Sequence, residues 1–185
     1  MKRILEIGVQ LSAERDLNRL LEELLSCVME LAHCDAGTLY LRDGDVLRFK
    51  IMHNHTMHTY AGGDGQDPDL PPVALRRENV CALSLLEDRT IRIEDVRHCA
   101  DYDFSGPIEY DRRTGYYTKS MLVVPMRNRN GEGLGVIQLI NALNEDGEIV
   151  SFPEDMMLVL ESIASQAAIT IQNVRYIEEI KEQFR

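Results

Sequence analysis

The sequence contains no tryptophan, and its seven tyrosines and four phenylalanines bring aromatic residues to only 6%. Any core must therefore be built mainly from aliphatic side chains. Apolar runs are short. Met121 to Met126 is typical of them, well below the roughly 20 residues that a bilayer requires, so no segment reads as membrane-spanning. The start, Met1-Lys2-Arg3-Ile4-Leu5-Glu6, turns polar before an apolar stretch develops, so it does not read as a signal peptide and a cytoplasmic chain is expected. The four cysteines, Cys27, Cys34, Cys81 and Cys99, form no CxxC pair, so neither a zinc ribbon nor a redox dithiol is encoded, and reduced thiols are expected. Basic residues are scarce: 20 Lys and Arg stand against 31 Asp and Glu, a formal charge of −11, and no basic cluster exceeds two residues. Nucleic-acid affinity comes largely from neutralising phosphates, so a nucleic-acid partner is not expected. HExxH, nucleophile-elbow and kinase signatures are all missing. The glycine-rich stretch Gly62 to Asp67 has neither P-loop nor EF-hand spacing and reads as a flexible cover.

What is present suits a single globular domain: 185 residues, 44% hydrophobic and 28% charged. Leu17, Leu20, Leu21, Leu24, Leu25, Val28 and Leu31 repeat at three and four residues, a strong amphipathic helix that Asp16 can cap. A shorter pattern, Ile4, Ile7 and Leu11, precedes it, and Ser12 to Arg15 predict a break between the two. From Gly37 the period changes to two. Strands around Thr38 to Leu41 and Val46 to Met52 flank the turn Asp43-Gly44-Asp45, which predicts a hairpin. Thr59 to Pro72, with three glycines, three prolines and three aspartates, predicts a loop or lid. A short helix around Glu78 to Leu86 and a strand near Thr90 to Glu94 follow, then an irregular segment. A second hairpin joins Met121 to Met126 with Leu134 to Ile140 through Asn128-Arg129-Asn130-Gly131, and Pro125 marks an edge or a bulge.

The last segment starts at Ser151-Phe152-Pro153-Glu154-Asp155, where proline and acids suit a first helical turn. Met156, Leu160, Ile163, Ala167, Thr170, Val174, Ile177, Lys181 and Phe184 then step by fours and threes, the spacing of a seam between paired helices. About 32 residues at 1.5 Å each make a rod of roughly 48 Å, longer than a small domain needs, so its end is expected to project and to lead into an attached domain. The seam predicts a homodimer through the terminal helices, broken to a monomer by charges at Ile163 and Val174. The order of elements describes an α+β fold with a mainly antiparallel sheet and the terminal helices on one face.

Three stretches resemble the GAF family of sensory domains. They are Asp111 to Met126, Gly135 to Asn141, and Phe152 to Asp155 with Ile163 to Ile169. The first is similar to the cyclic-nucleotide-binding subgroup found in phosphodiesterases and some adenylyl cyclases. The resemblance implies a GAF/PAS-like sheet of five to six strands, with helices on one face and a ligand pocket on the other. It divides the chain into an N-terminal signalling helix over 1–15, the domain proper over 16–175 and a connector helix from 176–185. Purine contacts would fall on Asp111, Thr114, Thr118 and Gln138, with Thr38 at the pocket floor, Met52 stacking a ring and His53 beside it. Val80 and Cys81 would present backbone N–H groups to a cyclic phosphate. The implied role is a sensor, itself no enzyme, that passes the state of a cyclic nucleotide or other small heterocycle to an attached output domain. HD-type phosphodiesterases, diguanylate cyclases and histidine kinases are outputs of this kind, and no cofactor is required. The chain departs from the subgroup at Asn141-Ala142 and Met156-Met157, where a lysine-to-carboxylate lock is missing.

Other readings compete at several positions. Asp111, Thr114 and Thr118 would share a helical face toward a ligand, or else serve as a cap and a turn. His53, His55 and His58 could hold a metal or lie solvated at a strand end. A GAF-fold free methionine sulfoxide reductase using cysteines, and a dimerisation module with an empty pocket, are the alternatives to a sensor.

Overall fold

The computed structural model describes residues 2–185. Two helices open the chain: α1, Lys2–Ala13, and α2, Leu17–Ala32. Asp16 ends the break between them by accepting the Arg19 N–H as the N-cap of α2. The strands are β1, Cys34–Asp43; β2, Val46–Asn54; β3, Thr59–Gly62; β4, Val73–Ala74; β5, Ile91–Ile93; β6, Met121–Arg127; β7, Gly133–Leu143; and β8, Ile149–Val150. Between them lie α3, Val80–Glu87, a 3-10 turn at Val96–His98, and α4, Ser105–Thr114, and the chain closes with α5, Asp155–Gln183.

All pairings are antiparallel, in the order β3-β2-β1-β7-β6-β5, with the two-residue strands β4 and β8 added alongside β2 and β7. The α+β fold with an antiparallel sheet is therefore observed. Both hairpins form where expected: Asp43 pairs with Val46 across a two-residue turn whose Gly44 has φ +60°. Pro125 lies beyond the reach of short β5, one residue before the irregularity at Met126/Arg127, so its missing donor costs the ladder little.

The central strands are covered on both faces, which is why they read as near-continuous apolar runs. Leu39, Leu41, Leu122 and Val124 point into a core shared with α1, α2 and α5, while Tyr40, Val123 and Val136 point the other way, under α3. Arg3 pairs with Glu30, and Ser12 accepts a hydrogen bond from Gln166, so the start of α1 lies by the end of α2 and its end lies halfway along α5. Leu17 shares a cleft with Arg175. Thus α1 and α5 run in the same direction, with α2 antiparallel to both.

Three expectations need correction. Thr59–Gly62, expected as part of a loop, is a strand: the edge of β2 past Ile51 offers unpaired backbone groups, and Gly62 takes φ +102° where a Cβ would collide with the Lys50 carbonyl. The segment expected to be irregular contains α4, which has no apolar stripe for periodicity to detect; Asp111 is its buried residue. The proposed seam is mainly internal. Leu160, Ile163, Ala167, Thr170 and Val174 are buried in the protein's own core, so a charge at Ile163 or Val174 would unfold the domain rather than separate a dimer. Helix α5 is 29 residues, about 43 Å, and everything after Arg175 is exposed, so its last two turns do run past the core. Among the described residues no helix is long and apolar enough to cross a membrane.

Candidate functional site

On the face of the sheet opposite α1, α2 and α5 lies a cavity of about 490 Å³. Its floor is the outward row of the central strands. The register puts Met52, Thr38 and Gln138 side by side across β2, β1 and β7, with Val123 of β6 next in line. Phe49 and Tyr40 wall one side with ring centroids 4.6 Å apart, and Val80 and Cys81 at the start of α3 form another. Leu70, Pro71, Pro72 and Val73 form part of the roof, and Phe104, Tyr110 and Tyr116 close the α4 side. A cavity of this size, apolar with a few convergent polar groups, is what small-ligand sites look like.

Seven of the nine residues picked from the sequence line this cavity: Thr38, Met52, His53, Val80, Cys81, Thr118 and Gln138. Asp111 and Thr114 do not. Asp111 is buried and committed to the fold: Oδ2 accepts the Thr118 N–H at 2.8 Å and an Arg97 guanidinium N–H at 2.6 Å, while Oδ1 accepts the Thr118 hydroxyl at 2.8 Å. The Arg97 guanidinium also lies 4.5 Å over the Tyr117 ring. Thr114 donates its hydroxyl to the Tyr110 carbonyl at 2.7 Å and accepts the Tyr116 N–H, and Gly115 follows in the left-handed region as the helix stop. Cap-and-turn chemistry therefore holds at both positions, and Thr118 lies outside the helix.

Of the two backbone donors expected at Val80 and Cys81, that of Cys81 is already used. Asn79 caps α3, its Oδ1 accepting from the Cys81 and Ala82 N–H groups at 2.9 and 3.1 Å. An asparagine ahead of an apolar run is itself a cap signal legible in the sequence. Phe49, Tyr40, Phe104, Tyr110 and Tyr116 were missed. Tyr40 was accessible by parity, two residues from Thr38 on the same strand face. The α4 aromatics depend on a helix that the pattern does not reveal.

Burial dominates the titration of the site. It pushes the Tyr40 hydroxyl well above its usual range and the Cys81 thiol up to about 12, so both stay protonated at neutral pH. The Tyr40 hydroxyl donates to Gln138 Oε1 at 3.1 Å. His53 is pulled below its ordinary value, first by burial and then by His55, whose ring is 4.3 Å away. Nearby, the Tyr116 hydroxyl donates to Asp35 at 2.7 Å and is raised by burial and by that carboxylate. Asn141, at φ +60°, binds this group to the sheet: its Oδ1 accepts from Lys119 and Ser120, and its Nδ2 donates to the Tyr116 hydroxyl and the Tyr117 carbonyl. Among the described residues no three His, Cys, Asp or Glu side chains gather as a metal site, so the tilted pair of His53 and His55 gains no third ligand from His58.

The GAF domain profile matches residues 16–171. The chain belongs to the GAF domain family. Among curated proteins it is similar to a dual 3',5'-cyclic-AMP and -GMP phosphodiesterase 11A of Takifugu rubripes, 28% identical over 97% of this chain and 19% of that protein. It is also similar to a cGMP-specific 3',5'-cyclic phosphodiesterase of Drosophila sechellia, 22% identical over 98% of this chain and 15% of that one. The chain thus spans less than a fifth of the length of these relatives. Among solved structures, the GAF domain of a phosphoenolpyruvate-protein phosphotransferase from Coxiella burnetii superposes with a TM-score of 0.73 at 17% identity, over 96% of this chain and 95% of that one. A free methionine-R-sulfoxide reductase from Neisseria meningitidis superposes at 0.66 and 17% identity, over 94% and 89%. Both likenesses establish the shared GAF fold.

Proposed function

We propose that this GAF domain senses a small molecule in the cavity and relays its presence through α1 and α5 to an attached output domain. The observation that carries this reading is that one sheet backs both parts. Thr38 faces the cavity, while Leu39, the next residue of β1, faces the buried sides of the terminal helices. A ligand that shifts β1, β2 or β7 therefore acts on α5 through direct packing. It moves the helices only as far as its affinity differs between their two arrangements, a few kcal/mol in typical switches.

The phosphodiesterase relatives suggest a small heterocycle as the ligand class, a cyclic nucleotide or another compound of that kind. The domain plan is a signalling helix over 1–15, the sensor over 16–175 and a connector from 176–185, in a cytoplasmic signalling protein with a phosphodiesterase, cyclase or kinase output. Self-association through the outer face of the helices is supported by exposed Leu5, Val9 and Leu158, at 68%, 71% and 73%, on helices that run side by side. The enzyme alternative draws on a reductase with the same fold, but Cys34 and Cys81 are buried thiols pushed up to about 12, poor nucleophiles at neutral pH.

Amide hydrogen exchange with and without a compound that raises the melting temperature tests the relay. Slower exchange at the cavity should come with altered exchange in α1 and in α5 beyond Val174. A change confined to the cavity side would leave a binding protein without a relay.

A further inference from the structure

The cavity is a ligand site under the reading above, and its lining indicates what kind of ligand it takes. We propose that it selects an uncharged planar heterocycle, held by Gln138 and Thr38, and that Asn79 closes it to a cyclic phosphate.

The floor carries unspent hydrogen-bonding capacity. Thr38 is only 5% exposed, and among the described residues its hydroxyl makes no hydrogen bond. Gln138, at 6%, has Oε1 engaged by the Tyr40 hydroxyl, which leaves Nε2 with nothing better than the Met121 thioether at 3.4 Å. A buried amide donor facing a weak acceptor is an incomplete arrangement in a native interior. Thr38 and Gln138 are direct cross-strand partners, so a donor and a hydroxyl stand side by side, with Cβ atoms about 5 Å apart. They match a ring edge that places a carbonyl or ring nitrogen beside an N–H. Met52, Phe49, Val80 and Phe104 supply apolar surface for the faces of such a ring.

An anion finds much less. Of the four N–H groups that open α3, those of Cys81 and Ala82 are spent on the Asn79 side chain and that of Leu83 on the Asn79 carbonyl at 2.9 Å. One donor, from Val80, is left at the helix start, where phosphate recognition uses several together. The charged groups on the lining are Asp103, Glu109 and Arg113, two acids to one base, in a chain of net charge −11. Arg113 is exposed at the rim, 6.0 Å over Tyr110, where water and salt screen it. His53 adds no positive charge at neutral pH, because burial lowers it.

Matched pairs test the claim with the intact chain. Calorimetry and thermal shift compare guanosine with cyclic GMP and adenosine with cyclic AMP, beside free nucleobases, pterin and an uncharged flavin. An uncharged member should bind, and a cyclic phosphate carrying the same ring should bind at least tenfold more weakly. Asn79→Gly keeps a residue acceptable at the cap and frees two N–H groups, so it should narrow that gap by tenfold or more. Thr38→Val keeps the side chain's shape and should weaken the uncharged ligand about tenfold without loss of fold. A cyclic nucleotide that outcompetes its own nucleoside, or a gap that Asn79→Gly leaves unchanged, overturns the proposal while leaving the sensory reading intact. If nothing in either class raises the melting temperature, both fall together.

Discussion

The carboxylate of Asp111 holds Thr118 by both its backbone N–H and its hydroxyl, each at 2.8 Å, across the Gly115 turn that ends α4. The same carboxylate takes Arg97 at 2.6 Å, so one buried side chain ties α4, the 3-10 turn and the approach to β6 together. Asp111 consequently shapes the cavity through Thr118 rather than by touching its contents. Asp111→Ala leaves a threonine donor and an arginine without their acceptor and should cost about 2–4 kcal/mol in urea unfolding. A loss below about 0.5 kcal/mol would mean that the clamp contributes nothing.

How much of this was legible depended on whether a residue answers to periodicity or to tertiary context. Leu20 through Val28 and the two hairpins follow from spacing and turn chemistry alone, and both were read correctly from the sequence. Thr38, Met52 and Gln138 share a floor because strand alternation sends them to the same face. Asp111 and Thr114 hold a clamp and a turn and lie outside the cavity lining; aspartate and threonine serve caps and turns as readily as ligands, and sequence spacing does not separate the two uses. Helix α5 failed in another way. A three-four repeat states that a helix has an apolar face, but not whether that face meets the protein's own sheet or a second copy.

Self-association should therefore be probed on the outward face. Leu5→Glu and Leu158→Glu lie at exposed positions and should change stability by no more than about 0.5 kcal/mol, while lowering the sedimentation coefficient if that face is the contact. Ile163→Ala, in the core, should cost about 2–5 kcal/mol. Sedimentation unchanged by both glutamate variants would remove the outer face of α1 and α5 as the interface.

Two groups give the stability profile opposite slopes. The folded-state value of His53 is depressed by burial and by His55, so its contribution is present above its ordinary value near 6.5 and is lost as pH falls through the folded value. Glu23 is raised, first by burial and then by Glu14, and Oε2 is buried without a partner. Its contribution is present below the ordinary value near 4.5 and is lost as pH rises through the folded one. His53→Gln should then flatten the decline that sets in as pH falls below about 6.5, and Glu23→Gln should raise the melting temperature at pH 7. Glu23→Gln with an unchanged or lower melting temperature at pH 7 would mean that the carboxylate is better solvated than its surroundings indicate.

The thiols separate the sensor from the enzyme most directly. Burial, aided at Cys34 by the neighbouring Asp35 carboxylate, pushes Cys34 and Cys81 up to about 12. At pH 8 that is four decades below half-ionisation, a thiolate fraction of about 10⁻⁴. Cys27 and Cys99 are partly exposed, and burial raises Cys27 as well. Alkylation of the native protein at pH 8 should label Cys99 first, with Cys34 and Cys81 modified only on unfolding, as peptide mass spectrometry would record. Rapid labelling of Cys81 in the folded state would place a reactive nucleophile inside the cavity. Thiol-dependent turnover of free methionine sulfoxide would then become the first assay to run, ahead of any ligand screen.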